Sequence, residues 1–232
     1  MSDNNYYGQI LTSDDLLEIR LRHFPNNEDL EILLGFLEDR ENVLDLGCGT
    51  GFTCEFLAKC GKNVTGVEPT EEYIIGAKRR VQDLDFADRL DFQIGDMEGA
   101  QTQNSFDAVI FLWSVINEVP TRDAQLEILK KYRSYLRPNG LLYIDTIYIP
   151  EESRPPFVIF EDPVSRFELI DDESNVRVKH PGRESHIIRC DIPSGWKNMF
   201  NLAGYKTVIL CGYKCADGIR RLVVVGMEKM ME

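Results

Sequence analysis

Val43-Leu44-Asp45-Leu46-Gly47-Cys48-Gly49-Thr50-Gly51 is the stretch on which the fold turns. Its apolar start reads as a buried strand, and its glycine-rich end reads as a turn whose backbone can take positive φ and approach a ligand closely. Working outward, a helical stretch leads to a second apolar strand, Asn63-Val64-Thr65-Gly66-Val67, ended by the acid Glu68. Strand, glycine turn, helix, strand and terminal acid form one βαβ unit suited to a nucleoside, with the acid accepting hydrogen bonds from both ribose hydroxyls.

The turn departs from the dinucleotide fingerprint G-x-G-x-x-G, in which a pyrophosphate sits over a helix N-terminus. The third glycine comes one residue early, at Gly51, and Phe52 stands where a small residue is required. Asp45, two residues before the first glycine, would repel a pyrophosphate but would suit a ligand bearing an ammonium and a sulfonium. These features argue against a nicotinamide oxidoreductase. Here the sequence resembles the class I methyltransferases that use S-adenosylmethionine (SAM).

The resemblance continues in order over roughly residues 40–150. Gly66-Val67-Glu68-Pro69 is similar to the ribose-binding segment. Ile94-Gly95-Asp96-Met97 is similar to the segment whose acid takes the adenine amino group. Phe106 to Trp113 resembles the fourth strand, which ends beside the methyl group, and Leu136 to Leu142 the turn into the fifth. The resemblance implies that Asp45, Gly47, Cys48, Gly49, Gly51, Glu68, Pro69, Asp96, Met97, Phe111 and Trp113 bind SAM. It also implies S-adenosylhomocysteine as product, and a small-molecule nitrogen, oxygen or carbon as acceptor.

Composition narrows the partners. With 39 acidic against 26 basic residues, the net charge is −13. A chain without a basic stripe is a poor match for phosphate backbones, so no nucleic-acid partner is expected. The first residues lack a signal-peptide pattern and no apolar run reaches spanning length, so neither export nor membrane insertion is expected. The six cysteines form no C-x-x-C pair. They read as reduced residues of a cytoplasmic protein, and no metal site is expected.

The expected organisation is one domain over 1–232, an α/β doubly wound, mostly parallel seven-stranded sheet of Rossmann-like type with an antiparallel last strand. Residues 13–23 and 27–40 read as amphipathic helices that form an N-terminal cap over 1–40. The alternation of strand and helix runs from Val43 to Thr146 and includes a helix Arg122–Leu136. Prolines 150, 155 and 156 then open a β-rich insertion, 150–192, expected to act as a lid before the sixth strand. Its β-like runs are Ser165–Ile170, Val176–His180 and His186–Cys190, the first two joined at Asp171–Asn175. A helix Ser194–Ala203 and strands Lys206–Cys211 and Leu222–Gly226 complete the sheet.

Methyl transfer to a hydroxyl or carbon needs a base, whereas an amine needs only to arrive deprotonated. Asp145, His180, His186 and Glu118 are the candidate bases, Asp145 because it ends the fifth strand. Tyr6 or Tyr7 could close over SAM. Arg20 or Arg22 could pair with its carboxylate, or simply charge a helix face. The aromatics and arginines of the insertion (Phe157, Phe160, Arg166, Phe167, Arg183) could meet a flat or anionic acceptor, or pack the insertion onto the core. Two alternatives to a small-molecule enzyme stay open: a SAM-binding partner protein without turnover, and a protein or peptide methyltransferase. The sequence leaves the oligomeric state open.

Overall fold

The computed structural model describes residues 12–99, 105–161, 166–180 and 184–228. The expectations placed on Tyr6, Tyr7 and Arg183 lie outside them. Two helices, α1 (Ser13–His23) and α2 (Glu28–Phe36), precede β1 (Asn42–Leu46). Then follow α3 (Phe52–Lys59), β2 (Asn63–Glu68), α4 (Glu71–Val81), β3 (Leu90–Ile94), β4 (Phe106–Phe111), α5 (Arg122–Arg133) and β5 (Leu136–Ile147). Four short strands come next: β6 (Phe157–Glu161), β7 (Arg166–Leu169), β8 (Asn175–Lys179) and β9 (His186–Arg189). Helix α6 (Pro193–Leu202) leads to β10 (Thr207–Lys214) and β11 (Arg220–Met227).

The main sheet has the order β10-β11-β5-β4-β1-β2-β3. Pairing is parallel except around β11, which runs antiparallel to both β5 and β10. The chain steps outward from β1 to β2 and β3, then returns to β4 beside β1. This reversal opens a crevice at the carboxyl ends of β1 and β4, where open α/β sheets hold ligands.

Both faces of the sheet are buried, and period-2 alternation sorts its residues between them. Leu44, Leu46, Val109, Phe111, Leu142, Ile144, Leu222 and Val224 share one cluster with α5 and α6, through Leu129, Tyr132, Trp196 and Phe200. Val43, Ala108, Ile110, Leu141, Tyr143, Val223 and Val225 pack the other face against α2, α3 and α4.

Local signals set several boundaries. The cap of α1 is Thr12, in a reciprocal capping box with Asp15, one residue before the expected Ser13. Helix α2 stops at Phe36, short of the expected 40. Thr121 caps α5 through the Ala124 N–H. Helix α5 ends at Arg133 because Leu136 already belongs to β5, pairing with Phe106. The expected turn at 136–142 is thus an irregular start of β5, its register shifting between Phe106 and Ala108 while Asn139 takes φ 68°.

The insertion holds a separate antiparallel sheet, β6-β7-β8-β9, with one strand more than the sequence indicated. The extra strand, β6, lies at the edge with most of its residues exposed or half-buried and a register shift between Val158 and Phe160, so no alternation marks it. The β7–β8 turn is held by the Asp171 carboxylate, which accepts from the N–H groups of Glu173 and Asn175. Phe167, Leu169, Val176, Val178 and Ile188 join this sheet to Phe24, Ile147, Ile149 and Ile219 in a third cluster.

Candidate active site

The glycine turn is pinned to β2. Gly47 and Cys48 both donate their N–H groups to the Val67 carbonyl, at 2.8 and 3.1 Å. Glu68 completes the frame, its two carboxylate oxygens accepting from Gly49 N–H and Thr70 N–H, each at 3.1 Å. An acceptor fixed by two backbone donors is preorganised and still keeps lone pairs for a ligand's hydroxyls.

Gly47, Gly49 and Gly51 take φ of 73°, 54° and 73°, but they serve different ends. A Cβ at Gly49 would meet only Leu16 Cδ1, at 4.0 Å, so this glycine leaves space beneath α1. A Cβ at Gly51 would come 2.6 Å from Phe92 Cε1. Gly51 therefore lets α3 pack on β3, and it is not among the residues that line the cavity described next.

A cavity of about 320 Å³ lies at the carboxyl ends of the strands. Asp45, Gly47, Cys48, Gly49, Glu68, Pro69, Asp96, Met97 and Trp113 all line it. Asp45 is 2% exposed and meets one side-chain donor, the Cys54 thiol, at 3.3 Å. Burial, chiefly, raises its pKa to about 7, with the nearby Glu68 adding to the rise. Among the described residues no cation pairs with this buried acid, which fits a cationic ligand group. Asp96 accepts from the Gly99 N–H, and the Met97 carbonyl accepts from Tyr132 Oη at 2.9 Å, which fixes the segment after β3.

Phe111 does not reach this cavity. It is 0% exposed and packs edge-on to Tyr132, 5.7 Å between ring centroids, on the α5 face. Strand β4 is buried on both faces, so its sequence pattern could not assign Phe111 a side. Leu112, Trp113 and Ser114, after the strand, form the wall instead.

Trp113 and Ser114 both lie in the left-handed region, φ 58° and 66°, a strain of order 1–3 kcal/mol per residue. Asp145 holds them there. Its carboxylate accepts from Trp113 N–H at 3.3 Å and its carbonyl from Ser114 N–H at 2.9 Å. The same carboxylate is clamped by Arg221 Nε at 2.8 and 3.0 Å and by Tyr213 Oη at 2.9 Å. Arg221 Nη2 also donates to Ser114 Oγ at 3.1 Å. Asp145 is 1% exposed and stands behind the cavity wall. The structure thus places this candidate base in the support of the wall, not on the cavity surface. Arg221 carried no sequence signal, because its partners Asp145 and Ser114 lie 76 and 107 positions away.

Arg20 is neither a solvated helix charge nor an open cation. It is 4% exposed, bonded to Asp29 at 2.8 and 3.0 Å and to Asn27 at 3.0 Å. Its guanidinium lies 4.4 Å from the Phe52 ring centroid and 5.4 Å from that of Trp113. Trp113 Nε1 donates to Asp29 at 3.3 Å, so α1, α2 and the β4 turn share one network. Arg22 lines the cavity, as does His23, which pairs with Asp217. Burial lowers the His23 pKa, an effect Asp217 partly opposes.

At the other end of the cavity stand Ile147, Phe167, Ile188 and Ile219, with Glu118 and His180. His186 stacks on His180, 6.5 Å between centroids, and its Nε2 lies 3.6 Å from Glu118 Oε1. Phe160 and Phe167 pack on each other at 6.0 Å, while Phe157 is exposed and Arg166 bonds Glu161. Of the insertion's aromatics, Phe167 alone lines the cavity among the described residues. All six cysteines are free thiols, and burial pushes that of Cys54 well above its ordinary pKa. Among the described residues, no cluster of ligating side chains could hold a metal ion, and no helix is long and apolar enough to cross a membrane.

A methyltransferase-domain family model matches residues 37–203, and the chain belongs to this family. A ubiquinone biosynthesis O-methyltransferase from Schizosaccharomyces pombe is 30% identical over 134 residues, 55% of this chain and 47% of that protein. A Streptomyces venezuelae dTDP-3-amino-3,4,6-trideoxy-α-D-glucopyranose N,N-dimethyltransferase is 26% identical over 156 residues, 66% of this chain and 60% of that one. The chain spans about half the length of the curated relatives it matches. The fold is that of SAM-bound CalS10, an amino pentose methyltransferase from Micromonospora echinaspora. Its TM-score is 0.64 at 19% identity, covering 95% of this chain and 94% of that one.

Proposed function

We propose that this chain is a SAM-dependent methyltransferase that transfers a methyl group to a nitrogen, oxygen or carbon nucleophile of a small molecule. The observation that carries the reading is one cavity bounded by the glycine turn, the backbone-anchored Glu68 carboxylate and the buried acid Asp45. Glu68 would take the ribose hydroxyls, Asp96 and Met97 the adenine, and Asp45 the cationic methionine end. Gly47, Cys48, Gly49, Pro69 and Trp113 would shape the contact. Bound SAM supplies an already activated methyl group, so the protein's part is orientation, exclusion of water and electrostatics.

The family match and the relatives named as O- and N-methyltransferases support this reading. In it, the segment 1–40 is a cap, since α1 residues Leu16, Ile19 and Arg20 line the cavity. The insertion 150–192 is a lid within one domain, since Phe167, His180 and Ile188 close the far end. A cavity walled by α1 on one side and by the insertion on another suits a small acceptor better than a folded macromolecule or a nucleic acid. Six free cysteines and, among the described residues, no helix long and apolar enough to cross a membrane are compatible with a cytoplasmic enzyme.

Incubation with methyl-labelled SAM and a cell extract, followed by separation by size, tests the proposal. Label is expected in the small-molecule fraction. Label confined to macromolecules would replace the acceptor class with a protein, and a protein that binds no SAM would end the reading.

A further inference from the structure

Unlike the glycine turn, the segment after β3 is held by side chains of a distant helix. Lys131 and Tyr132 stand in the last turn of α5. The Tyr132 ring is fully buried, edge-on to Phe111 at 5.7 Å and to Tyr135 at 5.5 Å between centroids. Its hydroxyl donates to the Met97 carbonyl at 2.9 Å, and burial pushes its pKa up, so the proton stays in place. Lys131 Nζ lies 5.0 Å from the same ring's centroid. It donates to the Glu98 carbonyl at 2.7 Å and to the Met97 carbonyl at 3.4 Å. Burial lowers the Lys131 pKa, and the nearby Asp96 and Glu98 carboxylates oppose that shift. Two consecutive carbonyls are thus drawn onto α5. A planar trans peptide points its N–H opposite to its carbonyl, so the N–H groups of Glu98 and Gly99 are turned away from α5. That of Gly99 meets the Asp96 carboxylate. Asp96, Met97 and Glu98 all line the cavity.

Resting on the methyltransferase reading above, we infer that Lys131 and Tyr132 are positioning residues that set the base selectivity of the cofactor site. By holding two consecutive carbonyls on α5, they fix the Asp96 carboxylate and the adjoining backbone donors in the arrangement a 6-amino purine requires. Adenine offers an amino donor and a ring-nitrogen acceptor along one edge. A carboxylate and a backbone N–H complement that edge. Its 6-oxo counterpart, hypoxanthine, offers a carbonyl oxygen and a ring N–H there, so acceptor meets acceptor and donor meets donor. Such a mismatch leaves polar groups of the site unpaired, which is how a polar site rejects a close analogue. A loosened segment could turn its peptides to suit either base, so the rigidity supplied by α5 is what turns two polar groups into a selective pair.

The test compares S-adenosylhomocysteine with S-inosylhomocysteine by calorimetry on the full chain. The parent should bind the adenine form at least about tenfold more tightly, the scale of one hydrogen bond to a charged group. Tyr132→Phe keeps the buried ring and removes only the hydroxyl. Lys131→Met keeps the aliphatic stem and removes only the ammonium. Each should weaken S-adenosylhomocysteine several-fold and leave S-inosylhomocysteine nearly unchanged, so the preference narrows. Lys131→Arg, which restores a donor, should recover most of it. The ratio of the two affinities does not depend on how much of a variant is folded, so a purely structural role would not move it. A ratio equal to the parent's in both variants overturns the inference, whether both affinities fall together or neither falls. A parent with no preference overturns it together with the assignment of Asp96 to the adenine. A parent that binds neither nucleoside instead removes the methyltransferase reading beneath it.

Discussion

The two ends of the cavity are built in opposite ways. The cofactor end comes from short, consecutive segments: the glycine turn, the end of β2 and the loop after β3. Its frame is held by backbone N–H donors, such as those of Thr70 and Gly49 to the Glu68 carboxylate, 2 and 19 positions away. The acceptor end comes from α1, the β4 turn, the second sheet and β11, joined by side chains far apart in sequence. Arg221 reaches Ser114 across 107 positions and Trp113 reaches Asp29 across 84. A ligand common to many enzymes can be held by local backbone geometry, whereas an individual acceptor is met by side chains that distant segments can exchange without disturbing the frame.

The sharpest break of this comparison is at the long-range end. Arg221→Met would leave the Asp145 carboxylate buried without its cation, and should cost about 3–5 kcal/mol of unfolding free energy by chemical denaturation. The double variant Asp145→Leu/Arg221→Met should recover much of that loss, because neither charge is then stranded. SAM affinity of the folded fraction should fall less than in Glu68→Ala, since of the proposed contacts only Trp113 depends on this clamp. Equal losses in the single and double variants would show that the pair's charges are not what holds the Trp113–Ser114 turn.

At the local end the pattern inverts. Glu68→Ala should weaken SAM binding at least tenfold by calorimetry, about 1.4 kcal/mol, with a smaller effect on the chain's stability than Arg221→Met. Unchanged affinity in a folded variant would mean that the ribose is held elsewhere.

The smallest effect sharpens the role of Asp45. With its pKa raised to about 7 by burial, the ligand-free protein carries this acid largely neutral at pH 6. A cationic ligand prefers the carboxylate, so SAM affinity should rise as pH rises through about 7, by up to roughly tenfold between pH 6 and 8. In the ligand-free chain the sign is opposite for stability. The unfolded acid ionises first, so the stability due to this group is present below its ordinary value of 3.8 and is lost progressively up to about 7. Calorimetry in buffers of differing ionisation enthalpy should show proton release on SAM binding near pH 6, and Asp45→Asn should abolish it.

The cofactor end was legible because its determinants are local. Glycine spacing, the acid at the end of β2 and the strand–helix alternation are fixed by backbone sterics and by side-chain period, and both are written along the chain. Reading failed where a strand is buried on both faces, as at Phe111 and Asp145, since period 2 then gives no side. It failed again at β6, a half-exposed edge strand, and at Gly51, whose neighbour Phe92 lies 41 positions on. The histidines of the insertion could be named but not placed.

The sequence alone thus determined the Rossmann-like sheet, the βαβ unit and the glycine turn proposed to hold the nucleoside, because each follows from local propensity and from burial patterns a few residues long. The tertiary structure alone decided the work of Asp145, the pairing of Arg20 with Asp29, the strained Trp113–Ser114 turn and the meeting of Glu118, His186 and His180. Those depend on which distant side chains the packed sheet and its insertion bring within a few ångströms, a quantity no window of sequence contains.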